Sequence, residues 1–341
     1  MADTLTLTAR LWKALADVVA SKLHCASSLV LLLLAWRYLR PAMQRRQRGP
    51  LALGMPSKAL FPQFFSNRQG LWIYHRAWIP KESVRAVILI VHGFGEHCGR
   101  YHHLASVFNN EGFAVFSMDH QGHGQSHGER AYVDEFQHYV DDLCDFLDAH
   151  VLPACGEMGN PPVFLLGHSM GGLISVYLAQ RRPDLFKGVV LSGPAIAPDP
   201  KVATPFMRGL AHVLCHLFPR LSVPKDKFHV SRDAQQQALY EVDPLIYRGG
   251  FRARHAHEML TAMGGVERML PHIKWPFFII HGTEDSLVQV AGAQQLYRGA
   301  GSSDKTLRLY EGGFHELFKE LPAMRDQAVQ DVVAWIAERL S

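Results

Sequence analysis

Pro162-Val163-Phe164-Leu165-Leu166-Gly167-His168-Ser169-Met170-Gly171-Gly172 decides the fold. An apolar run ends abruptly in Gly-His-Ser-Met-Gly. A helical pattern follows to Arg182, where Pro183 stops it. This is G-x-S-x-G between a strand and a helix, the sequence form of a nucleophile elbow. Side chains two before and two after the serine would clash in so tight a turn, and Gly167 and Gly171 hold those places. The turn predicts a strained Ser169 with its hydroxyl over the sheet edge. The helix behind it would aim free N–H groups and a positive dipole end at the reacting atom.

A serine needs a base to take its proton and an acid to orient that base. Behind such an elbow the partners follow in the order Ser, Asp or Glu, His, each on a loop after a strand. Trp275-Pro276-Phe277-Phe278-Ile279-Ile280 reads as a buried strand that breaks into His281-Gly282-Thr283-Glu284-Asp285-Ser286. Thr306–Tyr310 is the next strand and breaks into Glu311-Gly312-Gly313-Phe314-His315. Asp285 is the expected acid, with Glu284 as the neighbouring alternative. His315 is the expected base. The chain has 20 histidines, so one alone means little, but a Gly-Gly hinge after a strand presents this one.

Upstream, Arg85–Val91 is a near-continuous apolar run, as in a strand buried on both faces. It ends in His92-Gly93-Phe94-Gly95-Glu96-His97. A His-Gly turn at this place supplies one amide of an oxyanion hole, and the residue after the nucleophile supplies the other. The expected donors are the amides of Phe94 and Met170, each worth roughly 3–4 kcal/mol in the transition state. A helix is expected over about 100–110 and a strand over Ala114–Met118. The loop Asp119-His120-Gln121-Gly122-His123-Gly124-Gln125-Ser126 then reads as lining the mouth of the site. It lacks acidic or cysteine partners at ligand spacing, so neither a metal nor a cofactor is expected. Phe136, Tyr139, Val140, Leu143, Phe146 and Leu147 mark an amphipathic helix, and Lys187–Ser192 a further strand.

Strand–helix alternation predicts an α/β domain with a mostly parallel central sheet and helices on both faces. It lapses from about 195 to 248, where an inserted helical cap is expected. Within it, Thr204–Phe218 is apolar around more than half its circumference. Such a helix either packs on the core or forms a lid touching lipid outside and an acyl channel inside. Alternation resumes with Phe251–Met263 and closes on a helix striped by Val329, Val332, Val333, Ile336 and Leu340.

The remaining composition bounds the setting. With 341 residues, 48% of them hydrophobic, the chain has material for one large core. A formal charge of +4 with much of its excess in one cluster gives no nucleic-acid footprint. Five scattered cysteines without C-x-x-C fit a reducing compartment. Residues 1–50 stand apart: Leu23 to Trp36 is uncharged, and Arg37, Arg40, Arg45, Arg46 and Arg48 follow. The expectation is a membrane-associating segment, spanning, lying in the interface or cleaved, with the catalytic domain on the cytosolic side. Residues 51–66 read as a linker and 67–341 as the catalytic domain.

Taken together, His92–His97, Asp119–Ser126, Gly167–Gly172 and Glu311–His315 resemble the monoacylglycerol lipase family, over about 67 to 341. The resemblance implies a capped α/β-hydrolase fold and hydrolysis of a monoacylglycerol to glycerol and a fatty acid. It places the triad on Ser169, Asp285 and His315. It also implies Glu96, Arg100, His168 and Tyr240 around the glycerol end. The family's second histidine, one turn after the base, is here Phe318, and the hydrophobic N-terminal extension is not a general family feature. A lysophospholipase, thioesterase or other carboxylesterase would share the same catalytic residues, and a non-catalytic lipid-binding member of the fold is a further alternative. A serine at the elbow speaks against the carboxylate-nucleophile chemistry of epoxide hydrolases and dehalogenases.

Overall fold

The computed structural model describes residues 62–340, apart from 201, 202 and 224–228. The expectations for residues 1–50, membrane attachment and topology among them, lie outside the described residues. Among the described residues no helix is long and apolar enough to cross a membrane.

An eight-stranded sheet runs in the order β1 (Phe64–Ser66), β2 (Trp72–Trp78), β4 (Phe113–Met118), β3 (Ala86–Val91), β5 (Val163–His168), β6 (Phe186–Ser192), β9 (Phe277–Gly282) and β10 (Lys305–Tyr310). The pairs β1–β2 and β2–β4 are antiparallel, and every other pair in this sheet is parallel. β1 lies inside the stretch that reads as linker. Its three residues carry no alternation long enough to announce a strand, and pairing with β2 makes it one.

β3, β4 and β5 are buried along their whole length, which explains their unbroken apolar runs. The pleat sends Val87, Leu89 and Val91 into the core on one face and Ala86, Ile88 and Ile90 into the core on the other. Helices that flank the sheet include α1 (His102–Asn110), α2 (Gln137–Phe146), α3 (Leu152–Glu157), α4 (Met170–Arg181) and, from the C-terminal end, α9 (Pro322–Ala337). One irregularity has a simple cause. Between α2 and α3 the helix widens into a π-turn over Leu147–Val151, just before Pro153, which has no N–H for the regular ladder.

Between β6 and β9 the alternation breaks. Helices α5 (Pro205–Leu217) and α6 (Ala234–Val242) and a small β7–β8 ribbon (Ser222–Val223 with Phe251–Arg252) intervene before α7 (Ala253–Met269). Thr204 caps α5 by accepting from the Met207 amide, with Pro205 at the first helical position. Asp233 caps α6 through the Gln235 and Gln236 amides. α5 is not a core helix. Of its residues only Cys215 is buried, while Phe206, Met207 and Val213 are exposed. Its 3.6-residue stripe looks like a core face in sequence, but most of that face has no sheet beneath it. α8 (Val290–Gly299) completes the fold between β9 and β10.

The strand order turns at β3 and β5: the chain leaves β3 toward β4 on one side and resumes at β5 on the other. In open parallel sheets the crevice beyond the carboxyl ends at such a point receives ligands. The loops there are His92–His97 and Gly167–Ser169.

Candidate active site

Ser169 stands at φ 55, ψ −119, a region that side-chain-bearing residues avoid. Its glycine neighbours have no alternative. A Cβ on Gly167 would fall 2.3 Å from Ser175 Oγ, and one on Gly171 would fall 2.1 Å from the Val91 carbonyl oxygen. The turn is tied down from β6: the Ser169 amide donates to the Ser192 carbonyl and the Ala195 amide to the Ser169 carbonyl, each at 3.0 Å. α4 begins at Met170, whose amide, first in the helix, has no carbonyl four residues back.

The loop after β3 presses on the same spot. The Cβ position of Gly93 lies 3.1 Å from Ser169 Cβ, 3.3 Å from His168 Cδ2 and 3.0 Å from Glu96 Oε1. The Gly93 amide donates to Glu96 Oε1 at 2.6 Å. The Phe94 ring packs against both Phe251 and His255, with centroids 4.6 Å away in each case. The loop of residues 119–126 does not line a mouth. His120 and His123 are fully buried, and the His120 amide donates to His92 Nε2 at 3.0 Å. Asp119 shapes that loop by accepting from the amides of Cys98 and Gln125 at 2.8 and 2.7 Å. Its role is to hold the end of the loop after β3 from behind.

His315 comes to this rim from the loop after β10. A Cβ on Gly193 would lie 3.1 Å from His315 Nδ1, so the imidazole rests on the backbone next to Ser192. The same ring nitrogen is 2.6 Å from Asp285 Oδ2. Asp285 Oδ1 accepts from the amides of Leu287 and Val288, both at 2.9 Å, which fixes the carboxylate plane. Its Oδ2 also lies 3.1 Å from Nε2 of the fully buried His281. Burial pushes the Asp285 pKa up, but the charge and hydrogen bond of His315 and the bond of His281 outweigh this and hold it well below the carboxylate range. Burial pushes the His315 pKa down, but Asp285 beside it prevails and raises it above the ordinary histidine value. Glu284 is exposed and bonds through its backbone to Gly313, so of the two neighbouring acids it is Asp285 that touches His315.

Beside the serine lies a buried charge network. Arg100 donates from both terminal nitrogens to Glu316, at 2.6 and 2.9 Å, and to Glu96 Oε2 at 2.9 Å. Lys319 lies 3.3 Å from Glu316 and 3.9 Å from Glu96, and the Tyr101 hydroxyl donates to Glu96 Oε1 at 2.7 Å. Tyr240 lays its ring on the Arg100 guanidinium, 5.0 Å from the centroid. A cavity of 340 Å³ opens here, lined by Arg100, His168, Leu239, Glu316 and Lys319 among others. Burial pushes the Glu96 pKa up, but Lys319 and Arg100 overcome it and hold it far below the usual range; Arg100 does the same for Glu316. Burial beside His315 lowers His168 to about 4, so its ring is neutral, and its Nδ1 bonds the Ser192 carbonyl at 3.0 Å. Arg100→Met leaves two buried carboxylates with Lys319 alone. It is expected to cost about 3–5 kcal/mol in stability, read as a lower denaturation midpoint. A midpoint equal to wild type would mean that the network adds nothing to the fold.

Of the four residues expected around the glycerol end, Arg100 and His168 line the cavity, and Glu96 and Tyr240 reach it only through their contacts with Arg100. Sequence reasoning missed Glu316, Lys319 and His281. Glu316 follows the expected base directly, and Lys319 lies one helical turn beyond it. Their partner Arg100 is 216 residues from Glu316, so no local signal pairs them.

Residues 82–322 match the family model described as serine aminopeptidase, S33. Over 276 residues the chain is 38% identical to the monoglyceride lipase of Rattus norvegicus, covering 81% of this chain and 90% of that protein. It is 33% identical over 277 residues to the monoacylglycerol lipase of Mycolicibacterium smegmatis, covering 81% and 96%. The crystal structure of Paleococcus ferrophilus monoacylglycerol lipase superposes with a TM-score of 0.69 at 30% identity, over 78% of this chain and 99% of that one. At such identities over most of both lengths, the chain belongs to the monoglyceride lipase family of α/β-hydrolases and is a serine ester hydrolase.

Proposed function

We propose that this enzyme cleaves the ester bond of monoacylglycerols, with Ser169 as nucleophile, His315 as general base and acid, and Asp285 as its orienting partner. The observation that carries the reading is the His315–Asp285 bond at the rim where the strained Ser169 is anchored. In the first step His315 Nε2 takes the hydroxyl proton as Ser169 Oγ attacks the ester carbonyl. The amides of Phe94 and Met170 receive the oxyanion. His315 then protonates the departing glycerol oxygen and leaves an acyl-serine. Water, deprotonated by the same imidazole, splits that ester and releases the fatty acid.

The charge network supports an uncharged polyol as the head group. Its two carboxylates and two cations balance, and both cations are engaged. Hydroxyls can bond to the carboxylate of Glu316 at the cavity wall, whereas a phosphate would need a cation released from its pair. Fatty-acid release is measured from monoacylglycerol, lysophosphatidylcholine and acyl-CoA in parallel. Monoacylglycerol is expected to show the highest kcat/KM, and a higher value for either of the others would reassign the substrate class.

Residues 1–50, with their apolar run and arginine cluster, are proposed to hold the enzyme on a membrane with its catalytic domain in the cytosol. A variant lacking them is expected to move from the membrane to the soluble fraction and to keep its kcat/KM on a water-soluble ester. Retention in the membrane fraction would transfer the attachment to another part of the chain, the exposed apolar face of α5 first.

A further inference from the structure

Three side chains of metal-ligating type sit on one side of α5. His212, Cys215 and His216 occupy positions i, i+3 and i+4, and one donor atom from each lies within 4.8 Å of the others. Cys215 is fully buried, with Sγ 3.1 Å from His216 Nδ1 and 3.0 Å from the His212 carbonyl oxygen. His216 Nδ1 is also 2.8 Å from that carbonyl, the kind of backbone bond that orients a ligating imidazole. A fourth group arrives from α7, which packs against α5. The His257 ring centroid is 5.2 Å from that of His212 and 6.3 Å from that of His216. The thiol therefore lies between two imidazoles of its own helix, and a third, His257, faces those two rings from α7.

We infer that His212, Cys215, His216 and His257 form a binding site for a zinc-class divalent cation, bridging the cap helix α5 to α7. One thiolate and three imidazoles are a soft to borderline donor set, which selects Zn²⁺ or Co²⁺ over Mg²⁺ or Ca²⁺. Tetrahedral zinc, with bonds of about 2.0–2.3 Å, needs donors about 3.3–3.6 Å apart, so rotamer adjustments of an ångström or so close the cluster. Histidines at i and i+4 on one helix face are a recurrent way to hold such an ion. The thiolate is the ligand, so uptake displaces the Cys215 proton: the S–H bond breaks, the S–metal bond forms and one proton passes to solvent. The ion would cross-link the cap two residues from His255, whose ring centroid lies 4.6 Å from that of Phe94.

Cobalt(II) titrated into the full chain tests this. Wild type is expected to take up one ion with tetrahedral d–d absorption and a thiolate-to-cobalt charge-transfer band. Cys215→Ser is expected to abolish that band. His212→Gln and His257→Gln, at side chains that are exposed or half-exposed, are expected to weaken binding by more than the roughly 10–100-fold that loss of an outer-shell partner costs. Zinc should raise the thermal midpoint of wild type and leave that of the His212→Gln/His257→Gln double variant unchanged. If Cys215→Ser does not fold, the two histidine variants decide the matter. No charge-transfer band in wild type, its persistence in Cys215→Ser, or unchanged affinity in both histidine variants would overturn the site.

Discussion

Ser169→Ala is expected to lower kcat for ester hydrolysis by about 10⁴–10⁶-fold while the protein stays folded. Alanine keeps the Cβ and the strained backbone, so the change removes only the attacking oxygen. The amides of Phe94 and Met170 and the charge network stay in place, and substrate affinity should be nearly unchanged. The strain gives an independent check. Ser169→Gly removes the Cβ that makes φ 55 costly and is expected to stabilise the fold by about 1 kcal/mol while being as inactive as the alanine variant. Turnover by Ser169→Ala within tenfold of wild type would remove this serine from the chemistry and leave the elbow as a turn.

Asp285→Asn is the second large effect, expected at about 10⁴-fold in kcat. The amide cannot hold Nδ1 as a donor in the same way, so the imidazole loses its orienting partner and the tautomer that directs Nε2 at the serine. The pH dependence follows with its sign. Asp285 raises the His315 pKa above the ordinary value of about 6.5, and the base must be neutral to act. The acid limb of kcat/KM in wild type should therefore have its midpoint above that value. In Asp285→Asn, burial is left as the dominant influence, and the midpoint should move down. Glu284→Gln, at an exposed neighbour, is expected to match wild type within about threefold. An equal loss in both variants would mean that the acid was misassigned.

Much of the framework was legible because the signals that fix it are local. The elbow needs glycines two residues either side of Ser169, and the chain supplies them. Strands buried on both faces need unbroken apolar runs, and Ala86–Val91 and Val163–Leu166 are such runs. His315 was legible because a Gly-Gly hinge after β10 could be seen to present it. The α5 stripe shows where local reasoning stops. Its period is that of a helix on a core, yet only Cys215 is buried, because helical period reports an amphipathic surface and not what covers it. His212, Cys215 and His216 lie within five residues, but the ring that turns them into a cluster is His257 on another helix.

The sequence by itself determined the α/β alternation, the tight turn at Ser169 and the two loops that bear Asp285 and His315. Each depends on steric or apolar patterns confined to about ten residues. Only the tertiary structure sets Asp285, and not the exposed Glu284, against His315 and His281, since such contacts belong to the fold. It alone joined Arg100 to Glu316 and Lys319, and it alone laid His257 beside α5. A buried charge is tolerable only where its counter-charge arrives from elsewhere in the chain, and no short-range pattern encodes that meeting.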